Sequence, residues 1–209
     1  MNGQPAKVLR PNDVRRALAL VAKRRHGARN KTMILLSVKA GLRAGEIAQL
    51  TWDMVTDSNG AVGQVIELPG ACAKYGSGRR LPMHQDIREA LMALQRLYES
   101  QERCKIEGPV IRSERGGSPM APKAVVNWFH ALYSELGLDG CSSHSGRRTF
   151  ITNAARLVHR AGGSLRDVQL LVGHRSIQTT QGYIEGDGIA QVKLMRSSAS
   201  MAMPSPATR

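Results

Sequence analysis

The 209-residue sequence has few aromatic residues, few cysteines and few acidic residues. Aromatic side chains make up only 4% of it, which disfavours RNA-binding domains that stack bases on rows of aromatic rings. The three cysteines, Cys72, Cys104 and Cys141, lie 32 and 37 residues apart and form no CxxC pair. This spacing fits neither a disulfide framework nor a zinc knuckle, so we expect a reducing compartment.

Long apolar runs and metal or nucleotide motifs are also absent. No run of about 18 apolar residues occurs and the N-terminus has no apolar signal core, so we expect a cytoplasmic protein with no membrane contact. The sequence contains neither HExxH nor a GxxxxGK[ST] loop. We therefore expect no metal and no other cofactor. The 42% of apolar residues can fill a core, which excludes global disorder.

Basic residues exceed acidic ones in two segments of the chain. The 30 lysines and arginines against 16 acidic residues give a net charge of +14, of which residues 1–31 carry +8 and residues 140–183 carry +5. A polyanion that contacts both segments would explain this asymmetry, and a generic solvated basic face is the alternative. Nucleic acid fits better than a membrane surface, because residues 1–31 contain no Trp or Phe.

The hydrophobic pattern predicts an α+β fold that is mainly helical, with one small antiparallel sheet. Asn12 and Asp13 can cap a first helix that ends near Gly27. Residues 54–82 are rich in β-favouring residues and in turn glycines, and we predict the sheet there. Further helices are predicted over residues 33–38, 46–50, 87–98, 121–136, 150–161, 165–171, 179–183 and 189–196. We expect a single domain over residues 1–198 and a disordered tail over 199–209.

Two His-x-x-Arg pairs occur, where about 0.6 would arise by chance, so either pair alone means little. His26 and Arg29 lie in the basic N-terminal segment, at what we interpret as a solvated helix end. His144 and Arg147 stand at the start of a predicted helix, in HSGRRTF. A spacing of three places both side chains on one helix face, and the free N–H groups of a helix N-terminus favour an anion. This second pair predicts a phosphate site.

The other candidate residues each have an ordinary structural interpretation. His174, in LVGHRS, can cap the helix before it, and a lone Tyr183 is more often a core residue. Arg43 can pair with Glu46, three residues later. Lys74 can be a hairpin-tip lysine that only aids solubility. Taken one at a time, these residues leave the function open.

Their order along the chain is more informative. The blocks GLRAGEIAQLTW, a hairpin lysine followed by GRRLPM, then HSGRRTF and LVGHRSIQTTQGYI resemble the catalytic domain of the tyrosine recombinase (phage integrase) family, over about residues 8–190. The His-x8-Tyr spacing of the last block arises by chance only about 0.1 times in such a sequence. The resemblance implies the DNA breaking-rejoining enzyme fold.

The family resemblance also implies a set of site residues. The catalytic residues would be Arg43, Lys74, His144, Arg147, His174 and Tyr183. No other lysine lies between Lys39 and Lys105, which supports Lys74 independently. Glu46 would support the arginines without taking part in the chemistry. The predicted DNA contacts are Arg24, Arg25, Arg29, Arg79, Arg80, Arg148 and Arg175.

The chemistry of a phosphodiester explains why such residues belong together. Two guanidinium groups can neutralise the charge that grows on the nonbridging oxygens. A phenol has a pKa near 10, so Tyr183 must lose its proton during attack, and His144 is the candidate base. Lys74 can protonate the departing 5′ hydroxyl, and His174 can donate a hydrogen bond to the phosphate. The covalent 3′-phosphotyrosine conserves the energy of the cut bond, so neither ATP nor metal is required.

These residues favour a site-specific DNA recombinase or integrase that acts on double-stranded DNA as a homotetramer, with an accessory DNA-binding protein as a possible partner. The alternatives are a non-cutting DNA-binding regulator derived from the family and a type IB topoisomerase-like relaxing enzyme. With about ten residues before the first helix, we expect no additional N-terminal clamp domain, for which the basic segment 1–31 compensates in part. The family resemblance implies that the 26 residues after Tyr183 include a helix that docks on a neighbouring protomer.

One position departs from the family pattern. Gly146 stands where the family more often has a leucine, in His-x-Leu-Arg. Glycine destabilises a helix interior by about 1 kcal/mol relative to alanine, so we expect a small local effect and no loss of activity.

Overall fold

A computed structural model describes residues 6–72, 78–102, 106–114 and 117–183. Lys74, Cys104, the predicted helix at 189–196 and the predicted tail at 199–209 lie outside the described residues. The prediction of a single domain over residues 1–198 therefore stays a prediction.

The first helix, α1 (Pro11–Ala22), begins one residue earlier than its predicted cap. Pro11 occupies the first turn, where its missing N–H costs no hydrogen bond. Asp13 is not the cap: its carboxylate, only 6% exposed, lies in the first turn and accepts the backbone N–H of Arg10 at 3.0 Å. The chain then turns into α2 at Gly27, so that residue begins a helix and does not mark the end of one.

The central helix is α2 (Gly27–Lys39), which is buried along most of its length and packs against α1 and three later helices. Its apolar run of Met33 to Leu36 is almost completely shielded from solvent. After a turn at Gly41, the short helix α3 (Ala44–Gln49) follows. The predicted helices at 33–38 and 46–50 correspond to these two elements.

The sheet is a two-stranded antiparallel hairpin, as predicted. Strands β1 (Val65–Leu68) and β2 (Arg79–Pro82) pair with Leu68 opposite Arg79. Ile66, Leu68 and Leu81 are buried, so one face of the hairpin packs on the core. Short 3-10 turns at Trp52–Met54 and Gly70–Cys72 precede the two strands.

Five helices complete the described part of the fold: α4 (Gln85–Glu102), α5 (Pro122–Glu135), α6 (Ser145–Leu157), α7 (Leu165–Val172) and α8 (Ile177–Gln181). The helix predicted over residues 150–161 lies too far along the chain, since α6 starts directly after His144 and ends at Leu157. The mainly helical α+β prediction is confirmed.

Two clusters of buried apolar residues hold these elements together. The larger cluster lies around α2 and includes Trp52, Phe129 and Tyr133. A smaller cluster between α6 and α7 contains Ile151 and Val168, with Tyr183 packed against it. Helix α6 packs on both α2 and α7, and α2 contacts α3, so the start of α6 lies close to the turn before α3 and to the end of α7.

Candidate active site

Arg43 is positioned by the start of α3. Its backbone N–H donates to Glu46 Oε2 at 2.8 Å and its Nη1 donates to Glu46 Oε1 at 2.9 Å. The Arg43 side chain remains 23% exposed, whereas the Glu46 side chain is only 2% exposed. The pairing with Glu46 that the sequence allowed is present, and it orients Arg43 while the guanidinium keeps access to solvent.

Glu46 is a buried carboxylate held by two arginines. Burial alone raises its pKa, but the hydrogen bonds and charges of Arg79 and then of Arg43 outweigh burial and hold the pKa below its ordinary value. Arg79 Nη1 and Nη2 donate to the two carboxylate oxygens at 2.9 and 3.0 Å. Glu46 is therefore ionised and fixed in orientation.

Arg147, in the first turn of α6, is anchored by backbone carbonyls. Its Nη1 donates to Gly41 O at 2.6 Å and its Nη2 donates to Val172 O at 2.7 Å. Burial, and then the charge of Arg43, lower the pKa of Arg147 to about 10, so it stays protonated at neutral pH. Gly41 has a φ of 63°, and a Cβ there would lie 2.5 Å from the Phe150 ring, so this carbonyl depends on glycine.

His174 follows the C-terminus of α7. Its backbone N–H donates to Gln169 O at 3.2 Å, while its Nδ1 lies 3.0 Å from the hydroxyl of the buried Thr180. The backbone N–H of His174 therefore caps α7, as the ordinary interpretation of this residue allows, while its ring contacts Thr180. Burial and the nearby guanidinium groups lower the pKa of His174 to about 4, so the imidazole is neutral at pH 7.

Tyr183 lies beside His174, at the end of the described chain. The two rings stack with centroids 5.6 Å apart and an interplanar angle of 23°. The guanidinium carbon of Arg148 lies 5.5 Å from the centre of the tyrosine ring. His144, Arg148 and Tyr183 line one cleft of about 490 Å³. His144 is exposed at the N-terminus of α6, with its backbone N–H donating to Ser142 Oγ at 3.3 Å.

The buried centre of the site carries excess positive charge. Among the described residues, three guanidinium groups, those of Arg43, Arg79 and Arg147, surround the carboxylate of Glu46, and these four groups carry a formal charge of +2. An ionised Tyr183 would act electrostatically on Arg147, which places the two residues in the same neighbourhood. An uncompensated cationic centre in a partly desolvated site favours an anion such as a phosphate.

The structure thus brings together Arg43, Glu46, His144, Arg147, His174 and Tyr183, all of which the sequence singled out. The remaining predicted catalytic residue, Lys74, lies outside the described residues.

Two of the predicted DNA contacts, Arg79 and Arg29, have buried side chains. The Arg79 side chain is 6% exposed and engaged with Glu46, and the Arg29 side chain is 5% exposed. Arg29 donates to the backbone carbonyl of Arg112 at 3.0 Å and lies 3.4 Å from Glu114, so it anchors α2 to the loop that precedes α5. Neither guanidinium is available to a DNA backbone in this structure.

The other predicted DNA contacts lie at or near the surface. Arg80 is 75% exposed and pairs with Glu67 at 2.9 Å, while Arg24 pairs with Glu135 on α5. Arg25 and Arg175 are exposed, and Arg148 is half-buried at the cleft. These positions are compatible with contact to a polyanion, and their role stays a prediction.

Several contributing groups escaped the sequence analysis. Backbone carbonyls of Gly41 and Val172 hold Arg147, and no side-chain pattern signals a carbonyl contact. Thr180 contacts His174 from six residues away, which is a local spacing that a helical reading of 177–181 could have found. Among the described residues, no three His, Cys, Asp or Glu side chains are grouped as a metal site. The described helices also include none with the length and apolarity to span a membrane.

Known proteins share sequence similarity with this chain over most of its length. The model of the phage integrase family matches residues 7–187. The tyrosine recombinase XerC of Bradyrhizobium diazoefficiens is 32% identical over 176 residues, which is 83% of this chain and 50% of that protein. XerC of Rhizobium meliloti is 31% identical over 157 residues, or 75% of this chain and 45% of the relative. The chain thus spans about half the length of the curated relatives it matches.

Solved structures share the fold at low sequence identity. The Tn1549 transposon integrase in complex with transposon right end DNA superposes with a TM-score of 0.67 at 18% identity, covering 95% of this chain and 68% of that one. The XerA recombinase gives a TM-score of 0.67 at 20% identity, with 96% and 68% covered. XerH bound to palindromic difH substrate gives 0.67 at 20% identity, with 95% and 54% covered. The predicted tyrosine-recombinase catalytic fold is confirmed.

Proposed function

The chain belongs to the phage integrase family of tyrosine recombinases, and on that premise we propose that it cleaves and rejoins DNA at specific sites through a covalent 3′-phosphotyrosine intermediate. The observation that carries the proposal is the position of Tyr183. Its ring stacks on His174 and borders a cleft next to the cationic centre formed by Arg43 and Arg147.

The two arginines would bind the scissile phosphate. Arg147 is held rigidly by two carbonyls, and Arg43 is held by Glu46, so both guanidinium groups are oriented before DNA arrives. Preorganised donors stabilise charge in a transition state without reorganisation at the moment of reaction. A guanidinium can present two parallel N–H groups to nonbridging oxygens, which a lysine cannot do.

Tyr183 would then attack the phosphorus. Its Oη forms a bond to phosphorus while the bond from phosphorus to the 5′ oxygen breaks, and the DNA 3′-phosphate becomes attached to the enzyme. His144, which lines the same cleft, would accept the phenolic proton. Lys74 would donate a proton to the departing 5′ oxygen. Attack by a second 5′ hydroxyl reverses the same steps, and no external energy source is needed because one phosphoester replaces another.

His174 would act as a neutral hydrogen-bond donor to the phosphate. A neutral imidazole carries a single N–H. The Thr180 hydroxyl beside Nδ1 can donate to that nitrogen, which would leave the N–H on Nε2 for the phosphate.

Strand exchange requires more than one copy of the chain. Two duplexes have four strands, and one tyrosine cuts one strand, so a homotetramer on double-stranded DNA is the assembly that completes the reaction. The Tn1549 integrase and XerH structures are complexes with DNA, which supports duplex DNA as the substrate. We include an accessory DNA-binding protein in the proposal as the source of directionality.

Recombination between two plasmid-borne copies of a candidate site tests this function. We expect the wild-type chain to produce the recombinant plasmid and Tyr183→Phe to produce none. Unchanged biological activity in Tyr183→Phe would instead identify a non-cutting regulator. Relaxation of a supercoiled plasmid that lacks the site, without recombination, would identify a topoisomerase-like enzyme.

A further inference from the structure

The two arginines of strand β2 have opposite environments. Arg80 is 75% exposed and faces its cross-strand neighbour Glu67, whereas Arg79 is 6% exposed and turns into the protein. Successive side chains of a strand point to opposite faces, so the hairpin register decides which arginine is buried. The side chain of Arg79 therefore lies in the protein interior, next to the candidate active site.

Arg79 forms a symmetric contact with Glu46. Each carboxylate oxygen accepts one N–H from Arg79, at 2.9 and 3.0 Å. Each oxygen also accepts one N–H from Arg43, at 2.9 and 2.8 Å. The carboxylate is thus clamped from both sides, and the two-pronged contact with Arg79 fixes the plane in which Arg43 is bound.

The Arg79 side chain also runs past the end of α7. A Cβ added to Gly173 would lie 3.2 Å from both Cδ and Nη1 of Arg79. Its charge contributes to lowering the pKa of the neighbouring His174. Arg79 therefore connects three parts of the site: the hairpin, the start of α3 and the segment that carries His174.

We infer that Arg79 is a positioning residue that holds Glu46, and through it the guanidinium of Arg43, in the orientation that binds the scissile phosphate. The inference rests on the proposed function. With Arg79 present, Glu46 divides its hydrogen bonds and its charge between two arginines, and Arg43 keeps positive charge for the phosphate. Without Arg79, the carboxylate would turn toward Arg43 and neutralise it.

The test compares Arg79→Met with Arg80→Met, the neighbouring change on the exposed side of the same strand. Single-turnover cleavage of a nicked suicide substrate measures chemistry, and the salt dependence of DNA binding counts phosphate contacts. We expect Arg79→Met to slow cleavage at least about tenfold while the salt slope stays unchanged. Arg80→Met should instead lower the salt slope by about 0.9 if it contacts one phosphate.

A double-mutant cycle separates action through Glu46 from an independent role. If Arg79 acts through Glu46, adding Arg79→Met to Glu46→Gln should slow cleavage no further. Arg79→Lys keeps the charge and loses the two-pronged contact, so an intermediate rate is expected. If Arg79→Met fails to fold, the cleavage rate of Arg79→Lys still tests the inference.

A measurement without DNA separates this inference from the proposed function. NMR relaxation of the Arg43 Nε–Hε group should show a more mobile side chain when Arg79 is replaced by Met or Lys. The inference would be overturned if the Arg79 variants cleaved at the wild-type rate and the relaxation of their Arg43 side chain were unchanged. A salt slope that falls as in Arg80→Met, or multiplicative losses in the double mutant, would also overturn it. Failure of the wild-type chain to cleave any genuine site would overturn the proposed function and leave the Arg43 resonance as the test of positioning.

Discussion

Arg43 and Arg147 are held by different kinds of partner. Arg43 depends on a charged side chain, Glu46, and remains 23% exposed, whereas Arg147 is almost buried and depends on two backbone carbonyls. A carbonyl that accepts a hydrogen bond is uncharged and does not neutralise the guanidinium, whereas a carboxylate neutralises part of its charge. Within the described residues, the buried Arg147 therefore has no carboxylate among its hydrogen-bond partners, while the more accessible Arg43 shares its charge with Glu46.

His174 provides a pH-dependent signature of its burial and of the nearby guanidinium charges. Its pKa in the folded protein is about 4, against an ordinary value of about 6.5. Between these values the unfolded chain binds a proton at this residue and the folded chain does not, so the free energy of unfolding should fall as pH drops from 6.5 toward 4. NMR titration of the His174 imidazole, assigned with His174→Asn, should give a midpoint near pH 4. A midpoint near 6.5 would contradict the burial of this imidazole beside the cationic centre.

At the scale of the elements, the close packing of α6 on α2 depends on Gly146. A Cβ at this position would lie 2.2 Å from Ser37 Oγ, 2.9 Å from Ser37 Cβ and 3.1 Å from Val38 Cγ1. The missing side chain lets α6 approach the end of α2, where Arg147 reaches the carbonyl of Gly41. The expectation that Gly146 only loosens its helix is incomplete, because the glycine also allows this approach.

The substitution Gly146→Ala should therefore lower the free energy of unfolding. Overpacking costs about 1–3 kcal/mol, against a gain in helix propensity of about 1 kcal/mol, so we expect a net loss of up to about 2 kcal/mol. Ser37→Gly opens the facing surface, and the double variant should be more stable than the sum of the single effects. Denaturant unfolding of the four proteins measures this coupling. Additive effects would show that the Ser37 contact does not limit the substitution.

Local patterns predicted the elements, the family resemblance indicated the candidate site residues, and long-range contacts account for what was missed. The spacings His144 to Arg147 and His174 to Tyr183 lie within short segments, so the sequence alone could indicate that each pair belongs together. Arg79 pairs with a carboxylate 33 residues away, and the adjacent Arg80 is the same residue type. Only the register of the hairpin distinguishes them. Gly146 was equally ambiguous, because its packing partner Ser37 lies on another helix.

At the scale of the whole molecule, the positive charge is divided between internal and external roles. Of the basic residues in segment 1–31, Arg29 is buried and fixes α2, Arg24 pairs with α5, and Arg25 is exposed. The segment's net charge of +8 therefore overstates the number of groups that can meet a polyanion. We expect DNA to contact exposed residues of this segment and the region around Arg148 and Arg175.

The salt dependence of DNA binding should reflect this division. Log affinity should fall linearly with log salt, with a slope of about −0.9 for each phosphate neutralised. Arg25→Ala should reduce the slope by about that amount on every sequence tested, since a backbone contact carries no sequence information. Arg29→Met should destabilise the fold and leave the slope of the folded fraction unchanged. A flat salt response, or an unchanged slope in Arg25→Ala, would contradict the proposed surface.

The chemical identity of the DNA-linked residue tests the central claim most directly. A nicked suicide substrate that carries a genuine site should trap a covalent complex, and mass spectrometry of the digested complex should find a 3′-phosphonucleotide on the peptide containing Tyr183. Tyr183→Phe should still bind the same DNA and form no such complex. A complex that persists in Tyr183→Phe, a link to another residue, or no complex at any genuine site would contradict attack by Tyr183.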